Sequence, residues 1–331
     1  MSWDEREPPA LPFAAVMATG AASELARPAG LAALTLPLLV WAGVEAAWIA
    51  LAGLRHRRAA DERWFGALTI PIGCAVLGSG LAGQKGAAWH DGAAGLEALA
   101  GVTGIVLLSC VVRGAVAGLG RQGGESAVDG TWFLAPATCL ALAAGGAGVA
   151  PAGPGAAGAV GGWVLVGLCA LGAAAYLVVL VLAARRVRRC GLGSTRASWW
   201  IAAGCGGLAA AAIGRSATEI DRLGRVAAQV VPVAGACACG VASFVLVPVL
   251  VASAASLART RALGGAAPWP PTFSSGVYAL GAIQAGRLGH VAALGRVGDI
   301  AGIATVLLWA VTTGLGAVER VRGATRPAPA G

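Results

Sequence analysis

Charged residues are scarce in this sequence of 331 residues, where Asp, Glu, Lys and Arg together make up 12%, against roughly a quarter in soluble globular domains. Apolar residues make up 57%, and the mean hydropathy is +0.77. Phe and Tyr are also few, with 5 and 2 residues against 52 Gly. A shortage of charge excludes an ordinary water-exposed surface, and small residues are what membrane helices use for close packing. The predicted solvent is therefore the lipid bilayer.

Catalytic and metal-binding patterns are missing as well. The sequence has no GxSxG or HExxH motif, its three His residues stand apart, and none of its eight Cys residues forms a CxxC pair. We therefore predict no enzyme active site, no metal site and no disulfide framework. The cysteines are interpreted as small buried apolar residues.

One cofactor-like motif, GxGxxG, occurs at Gly78, Gly80 and Gly83. A dinucleotide site needs a strand before this motif and a helix opening directly after it, but here the polar stretch QKGAAWHDG follows. We interpret these glycines as positions of close helix packing and predict no cofactor. The net charge of +9 comes from short Arg clusters between apolar runs, which is typical of membrane topology signals and not of nucleic-acid binding.

Ten apolar segments of membrane-spanning type alternate between two kinds. The even-numbered segments, starting near residues 30, 93, 160, 228 and 299, are long and smoothly apolar. The odd-numbered segments, starting near residues 11, 64, 131, 198 and 272, are shorter and richer in Gly, Pro and small polar residues. Because kinks and polar groups are tolerated where a helix lines an internal path, the pattern predicts an all-α membrane protein of five helical hairpins around a central pore.

Basic residues predict the orientation. Most of the 24 Lys and Arg residues, including the run RRVRR at 185–189, fall in connections on the side where the chain starts. The positive-inside rule then predicts that both termini lie in the cytoplasm. The predicted location of the protein is the plasma membrane. The predicted organisation is a cytoplasmic segment at 1–11, a transmembrane domain at 12–319 and a disordered cytoplasmic tail at 320–331.

Two intramembrane acids stand out because a charge in hydrocarbon costs several kcal/mol. Glu24 ends the first segment and is followed three residues later by Arg27. A local ion pair between them and a role of Glu24 in coupling transport to protons are the two interpretations. Glu97 lies near one end of a smooth segment, where we expect its carboxylate to reach water.

Several stretches together resemble one family, the tellurite-resistance/dicarboxylate transporters, which includes malic-acid transport proteins and plant slow-type anion channels. The opening FAAVMATGAAS is similar to the family's Phe-x-x-Val-Met-x-Thr-Gly signature. The stretches GCAVLGSGLA, DGTWFLAPATCLALAA and SWWIAAGCGGLAAA resemble the third, fifth and seventh helices of the family, and FVLVPVL fits the eighth more loosely. The resemblance covers essentially the whole chain and implies a pore lined by the odd-numbered helices.

The resemblance implies a set of pore-lining residues. In the first helix Gly20 would permit a bend, and Thr19 and Ser23 would present hydroxyls to a passing anion. Gly204 and Gly281 are the corresponding pore-lining glycines of the seventh and ninth helices. The seventh-helix match lacks an amide that close relatives have, since Ala202 and Ala203 stand in the stretch, which weakens a specific link to dicarboxylates.

The pore gate of related anion channels is a phenylalanine of the ninth helix. Here the corresponding stretch is SSGVYALGAIQ, so Tyr278 takes the aromatic position and Ala279 replaces a proline. A packed or interfacial tyrosine is the alternative interpretation, and Phe273 is the gate if the register is shifted.

By resemblance, the predicted function is transport of small anions, with C4-dicarboxylates such as malate as substrates and a role in tellurite resistance. A monovalent-anion channel and a membrane scaffold or sensor without transport are the alternatives. The predicted partners are the small anionic substrate, the bilayer and two further copies of the chain in a trimer, with no nucleic acid.

Overall fold

Ten α-helices run through the part of the chain that this computed structural model describes, which comprises residues 14–55, 67–119, 130–149, 156–191, 199–221, 225–260 and 269–324. In chain order they are α1 Ala14–Ala26, α2 Thr35–Arg55, α3 Thr69–Ala82, α4 Ala87–Leu119, α5 Leu134–Val149, α6 Ala156–Cys190, α7 Trp200–Asp221, α8 Arg225–Thr260, α9 Trp269–Leu288 and α10 Ala292–Ala324. The predicted all-α fold is confirmed.

The odd-numbered helices form a closed inner ring. Each packs against the next odd-numbered helix, in the order α1, α3, α5, α7, α9 and back to α1. Each even-numbered helix packs on the outside against the inner helix before it and the inner helix after it. The chain therefore folds as five hairpins, each with one inner and one outer helix, as the alternation of segments predicts.

Short connections within each hairpin fix the directions of the helices. Only a few residues separate α3 from α4, α7 from α8 and α9 from α10, so the members of each hairpin run antiparallel. Contacts between inner helices join residues in the same chain order, as where Gly204 and Gly214 of α7 face Ser274 and Gln284 of α9. The inner helices therefore run in the same direction, and the ring has one end where they begin and one end where they finish. We call the second the C-terminal end of the ring.

Burial differs between the two kinds of helix. The outer helices expose large apolar side chains such as Trp48, Ile105, Trp163, Phe244 and Ile300, as expected for surfaces that face lipid. Six segments are long and apolar enough to cross a membrane: the spans within the five outer helices and Gly130–Val149 of the inner ring. The other inner helices are shorter or less apolar, which is tolerated because the outer helices cover them.

Glycine allows the inner helices to approach closely. A Cβ added to Gly207 on α7 would stand 2.5 Å from the Cα of Tyr278 on α9, and a Cβ on Gly281 of α9 would overlap the carbonyl oxygen of Gly207. Real Cβ atoms essentially never come this close to backbone, so a side chain at either position would force the two helices apart. This contact closes one side of the ring.

The segments predicted at the two ends of the chain are largely untested. Helix α10 continues to Ala324, into the segment predicted as a tail. Residues 1–11 and the rest of the tail lie outside the described residues.

Candidate functional site

A narrow cavity lies on the axis of the inner ring, and all five inner helices line it. Its wall is mostly aliphatic, with Val76, Leu208, Val277 and Leu280 as the largest apolar contributors. The cavity has a volume of about 20 Å³, which is room for about one water molecule. The inner ring is therefore narrow at this level.

In the part of the chain that the structure describes, two charged side chains line this cavity, Glu24 from α1 and Arg215 from α7. The Arg215 guanidinium forms an ion pair with the Glu24 carboxylate and donates a second hydrogen bond to the hydroxyl of Ser79 on α3. The side chains of Arg215 and Glu24 are 22% and 11% exposed. A guanidinium held at the axis by two neighbours offers its remaining N–H groups as donors to an anion.

Of the two interpretations of Glu24, the local ion pair with Arg27 is wrong, because its carboxylate pairs with Arg215. Helix α1 ends at Ala26, so Arg27 begins a turn and is exposed. Since residues three apart share a face only while the helix continues, Arg27 cannot follow Glu24 into the ring. It lies instead beside a second cavity of about 400 Å³, together with Gln84, Lys85 and Trp89.

The expectation that Glu97 reaches water is also wrong, because its side chain is only 8% exposed. Glu97 is on the outer helix α4, and its carboxyl lies against Gly78 of α3 and Gly145 of α5. It therefore points inward through a gap between two inner helices. Gly145 itself lines the axial cavity.

The predicted hydroxyl groups of α1 are bonded to outer helices. Thr19 donates a 3.0 Å hydrogen bond to Glu45 of α2 and accepts one of 2.9 Å from the indole N–H of Trp309 on α10. Ser23 donates a 2.7 Å bond to the carbonyl oxygen of Thr35. The face of α1 that lines the axial cavity carries Ala21 and Glu24 instead.

The predicted glycines lie at helix contacts within the ring. Gly20 faces Val76 of α3, Gly204 faces Ser274 of α9, and Gly281 faces Gly207 of α7. Each allows two inner helices to approach, so the glycines shape the path through helix spacing. Their direct contact with an anion stays a prediction.

Tyr278, the predicted gate, is 8% exposed and packs with Cys239 and Ala242 of α8. Its hydroxyl is 2.8 Å from the hydroxyl of Ser243, also on α8. The α9 side chains that line the axial cavity are Val277 and Leu280. Phe273 is buried in the main apolar cluster. The gating role of Tyr278 therefore stays a prediction. It requires the tyrosine side chain to move away from α8.

The sequence did not identify Arg215 as a site residue. Its segment, AAAAIGRSATE, is interrupted by polar residues, which is typical of the end of a membrane span. In the structure α7 continues to Asp221, so Arg215 is well inside a helix of the ring. The available signal was that Glu24 and Arg215 each interrupt an otherwise uncharged stretch of a glycine-rich segment.

The remaining motifs have structural roles. Gly78 and Gly80 of the GxGxxG motif lie within α3 and face Glu97 and Leu39 on neighbouring helices. Among the described residues, no three His, Cys, Asp or Glu side chains are grouped so that they could hold a metal ion. The candidate site consists of Arg215, Glu24 and Ser79, which line the axial cavity, and the nearby Glu97.

Comparison with known proteins gives one family match. The family model SLAC1, described as a voltage-dependent anion channel, matches residues 9–315. This range takes in nearly the whole chain and all four residues of the site. A search of curated proteins found no match.

Proposed function

The chain belongs to the voltage-dependent anion channel family, and we propose that it carries small anions through the axis of its inner ring, with Arg215 as the anion-contacting residue. The observation that carries this proposal is the position of the guanidinium in a cavity lined by all five inner helices. A fixed cation in a constriction whose other lining residues are mostly aliphatic favours the entry of negative charge. Because Arg215 is paired with Glu24, an anion binds by competing with that carboxylate.

Further positive charge supports this path. Arg27 and Lys85, near the ends of α1 and α3, line the cavity of about 400 Å³. Both side chains are exposed. Exposed cations close to a path raise the local concentration of anions, so we assign these two residues to an anion-attracting mouth at the C-terminal end of the ring.

The substrate implied by the family resemblance is a C4-dicarboxylate such as malate, and tellurite resistance would then follow from anion export. The site itself favours a small monovalent anion, because a single guanidinium lines a cavity that has room for about one water molecule. We therefore keep both substrate classes and put the monovalent anion first. Placement in the plasma membrane with both termini in the cytoplasm, and assembly as a trimer, belong to the same proposal.

Anion flux into liposomes that contain the purified protein tests this function. Chloride, nitrate and malate are compared for the wild type, Arg215→Gln and the control Arg296→Gln, which removes an exposed charge from the outer helix α10. We expect flux in the wild type and the control and at least a tenfold loss in Arg215→Gln. Absence of flux from folded wild-type protein would contradict transport and favour a membrane scaffold or sensor.

A further inference from the structure

Glu97 crosses the wall of the inner ring from outside. A Cβ built on Gly78 would stand 2.7 Å from Oε1 of Glu97, and a Cβ built on Gly145 would overlap the carboxyl group. The carboxyl thus occupies space that opens only because α3 and α5 both carry glycine there. An outer helix contributes an acidic group to the immediate surroundings of the axial cavity.

This carboxyl is buried without full hydrogen bonding. Glu97 is 8% exposed, and its Oε1 has no hydrogen-bond partner among the described residues. An ionised carboxylate in such a place carries a large desolvation cost. Binding a proton removes the charge and therefore that cost.

The groups that act electrostatically on Glu97 come from several helices. Arg215 of α7 attracts its negative form, whereas Glu24 of α1 repels it. The thiol of Cys74 on α3 also interacts with it. From α5, the residue that faces the carboxyl is the uncharged Gly145.

The net charge around the cavity links the protonation of Glu97 to the binding of an anion. Among the described residues around the cavity, the carboxyl groups of Glu24 and Glu97 share the electrostatic field of one guanidinium, that of Arg215. With both ionised, the group has an excess negative charge that repels an anion from Arg215. With one proton bound, the carboxylate that remains balances the guanidinium.

We propose that Glu97 is a proton-binding site in the wall of the anion path and that proton binding there permits an anion to bind at Arg215. The proton adds to a carboxylate oxygen of Glu97, and no covalent bond between heavy atoms is made or broken. Glu97 acts through the field at Arg215 and does not contact the anion. The link to transport rests on the proposed function, whereas the proton site itself does not.

The expected direction follows from the sign of the charge. A lower pH protonates Glu97, removes the repulsion and raises anion affinity and flux. One unit charge within about 10 Å, at an effective dielectric constant of about 20, changes an affinity by roughly tenfold or more. We therefore expect wild-type flux to fall about tenfold or more from acidic to alkaline pH, and Glu97→Gln to keep the acidic rate throughout.

A second variant, which leaves Glu97 itself unchanged, can be made at Gly145, one of the two glycines that make room for the carboxyl group. The closest neighbours of a Cβ at Gly145 are all atoms of the Glu97 side chain, whose flexible end can move away. Gly145→Ala should thus fold while displacing the carboxyl, and so alter the pH profile without changing Glu97 itself. Gly101→Ala, on α4 where a Cβ meets nothing within 4 Å, is the matched control.

The deciding experiment is infrared difference spectroscopy between acidic and alkaline pH on the purified protein in detergent. We expect a protonated-carboxyl band that titrates in the wild type and Gly101→Ala, is absent from Glu97→Gln and is shifted in Gly145→Ala. A band unchanged in Glu97→Gln would overturn the proton site whether or not the protein transports anions. Liposome flux with an identical pH profile in the wild type and Glu97→Gln would overturn the coupling and leave anion transport standing.

Discussion

The guanidinium of Arg215 on α7 and the carboxylate of Glu24 on α1 form an ion pair inside the inner ring. These helices are not neighbours in the ring, because α9 lies between them on one side and α3 and α5 lie between them on the other. The pair therefore reaches across the axial cavity. Together with the bond from Arg215 to Ser79, it connects three of the five inner helices at the level of the axial cavity.

Removal of the Glu24 charge should strengthen anion binding. In Glu24→Gln, the amide keeps an acceptor oxygen for Arg215 but no longer competes as an anion. We expect the apparent chloride affinity, measured from the concentration dependence of flux, to rise by about tenfold. Glu45→Gln is the control, since Glu45 accepts hydrogen bonds from Thr19 and Trp41 on the outside of the ring. Equal affinities in Glu24→Gln and the wild type would contradict competition at Arg215.

The ion pair between Arg215 and Glu24 should also contribute to the stability of the fold. Breaking a fully buried ion pair by removing one partner costs roughly 3–5 kcal/mol. Arg215→Met should cost less than that, because the Arg215 side chain is 22% exposed. The double variant Arg215→Met with Glu24→Leu should recover part of the loss, since no unpaired charge is left. Thermal unfolding in detergent measures both, and a double variant less stable than Arg215→Met would contradict the argument.

The fold was predictable from the alternation of two kinds of apolar segment along the chain. Outer helices face lipid and must be apolar along their length, so their segments are long and smooth, whereas inner helices are covered and tolerate Gly, Pro and small polar residues. The sequence therefore distinguishes the two kinds of helix. In the structure the long apolar helices lie outside and the Gly-rich helices form the inner ring. The family match over residues 9–315 agrees with the resemblance of the quoted motifs.

The site was less predictable because it depends on how each helix is rotated about its own axis. On α1, Ala21 and Glu24 share the face toward the cavity, whereas Thr19 and Ser23 share a face toward the outer helices. Both faces carry small residues, so no apolar stripe indicates which one points inward. The inward course of Glu97 depends on Gly78 and Gly145, which belong to other helices and are distant in sequence.

Contact between α7 and α9 should depend on glycine at position 207. In Gly207→Ala, the new Cβ would meet the backbone of Tyr278 at 2.5 Å and 2.7 Å, and backbone cannot move aside as a side chain does. Overpacking of this kind costs about 1–3 kcal/mol, so we expect a lower Tm in detergent. Gly240→Ala on α8, where a Cβ meets nothing within 4 Å, is the control. Equal Tm values for the two variants would contradict the close contact.

Two residues of α9, Leu280 and Tyr278, are the candidates for closing the proposed anion path. Leu280 lines the axial cavity, whereas the Tyr278 hydroxyl is bonded to Ser243 on an outer helix. Leu280→Ala should widen the constriction and raise chloride flux severalfold in liposomes. Tyr278→Phe keeps the packed ring and loses only a hydrogen bond, at a cost of about 1 kcal/mol, so its flux should stay near the wild-type value. Tyr278→Ala is the decisive third variant: if it raises flux more than Leu280→Ala does, the tyrosine swings into the path and is the gate, and the aliphatic closure is wrong.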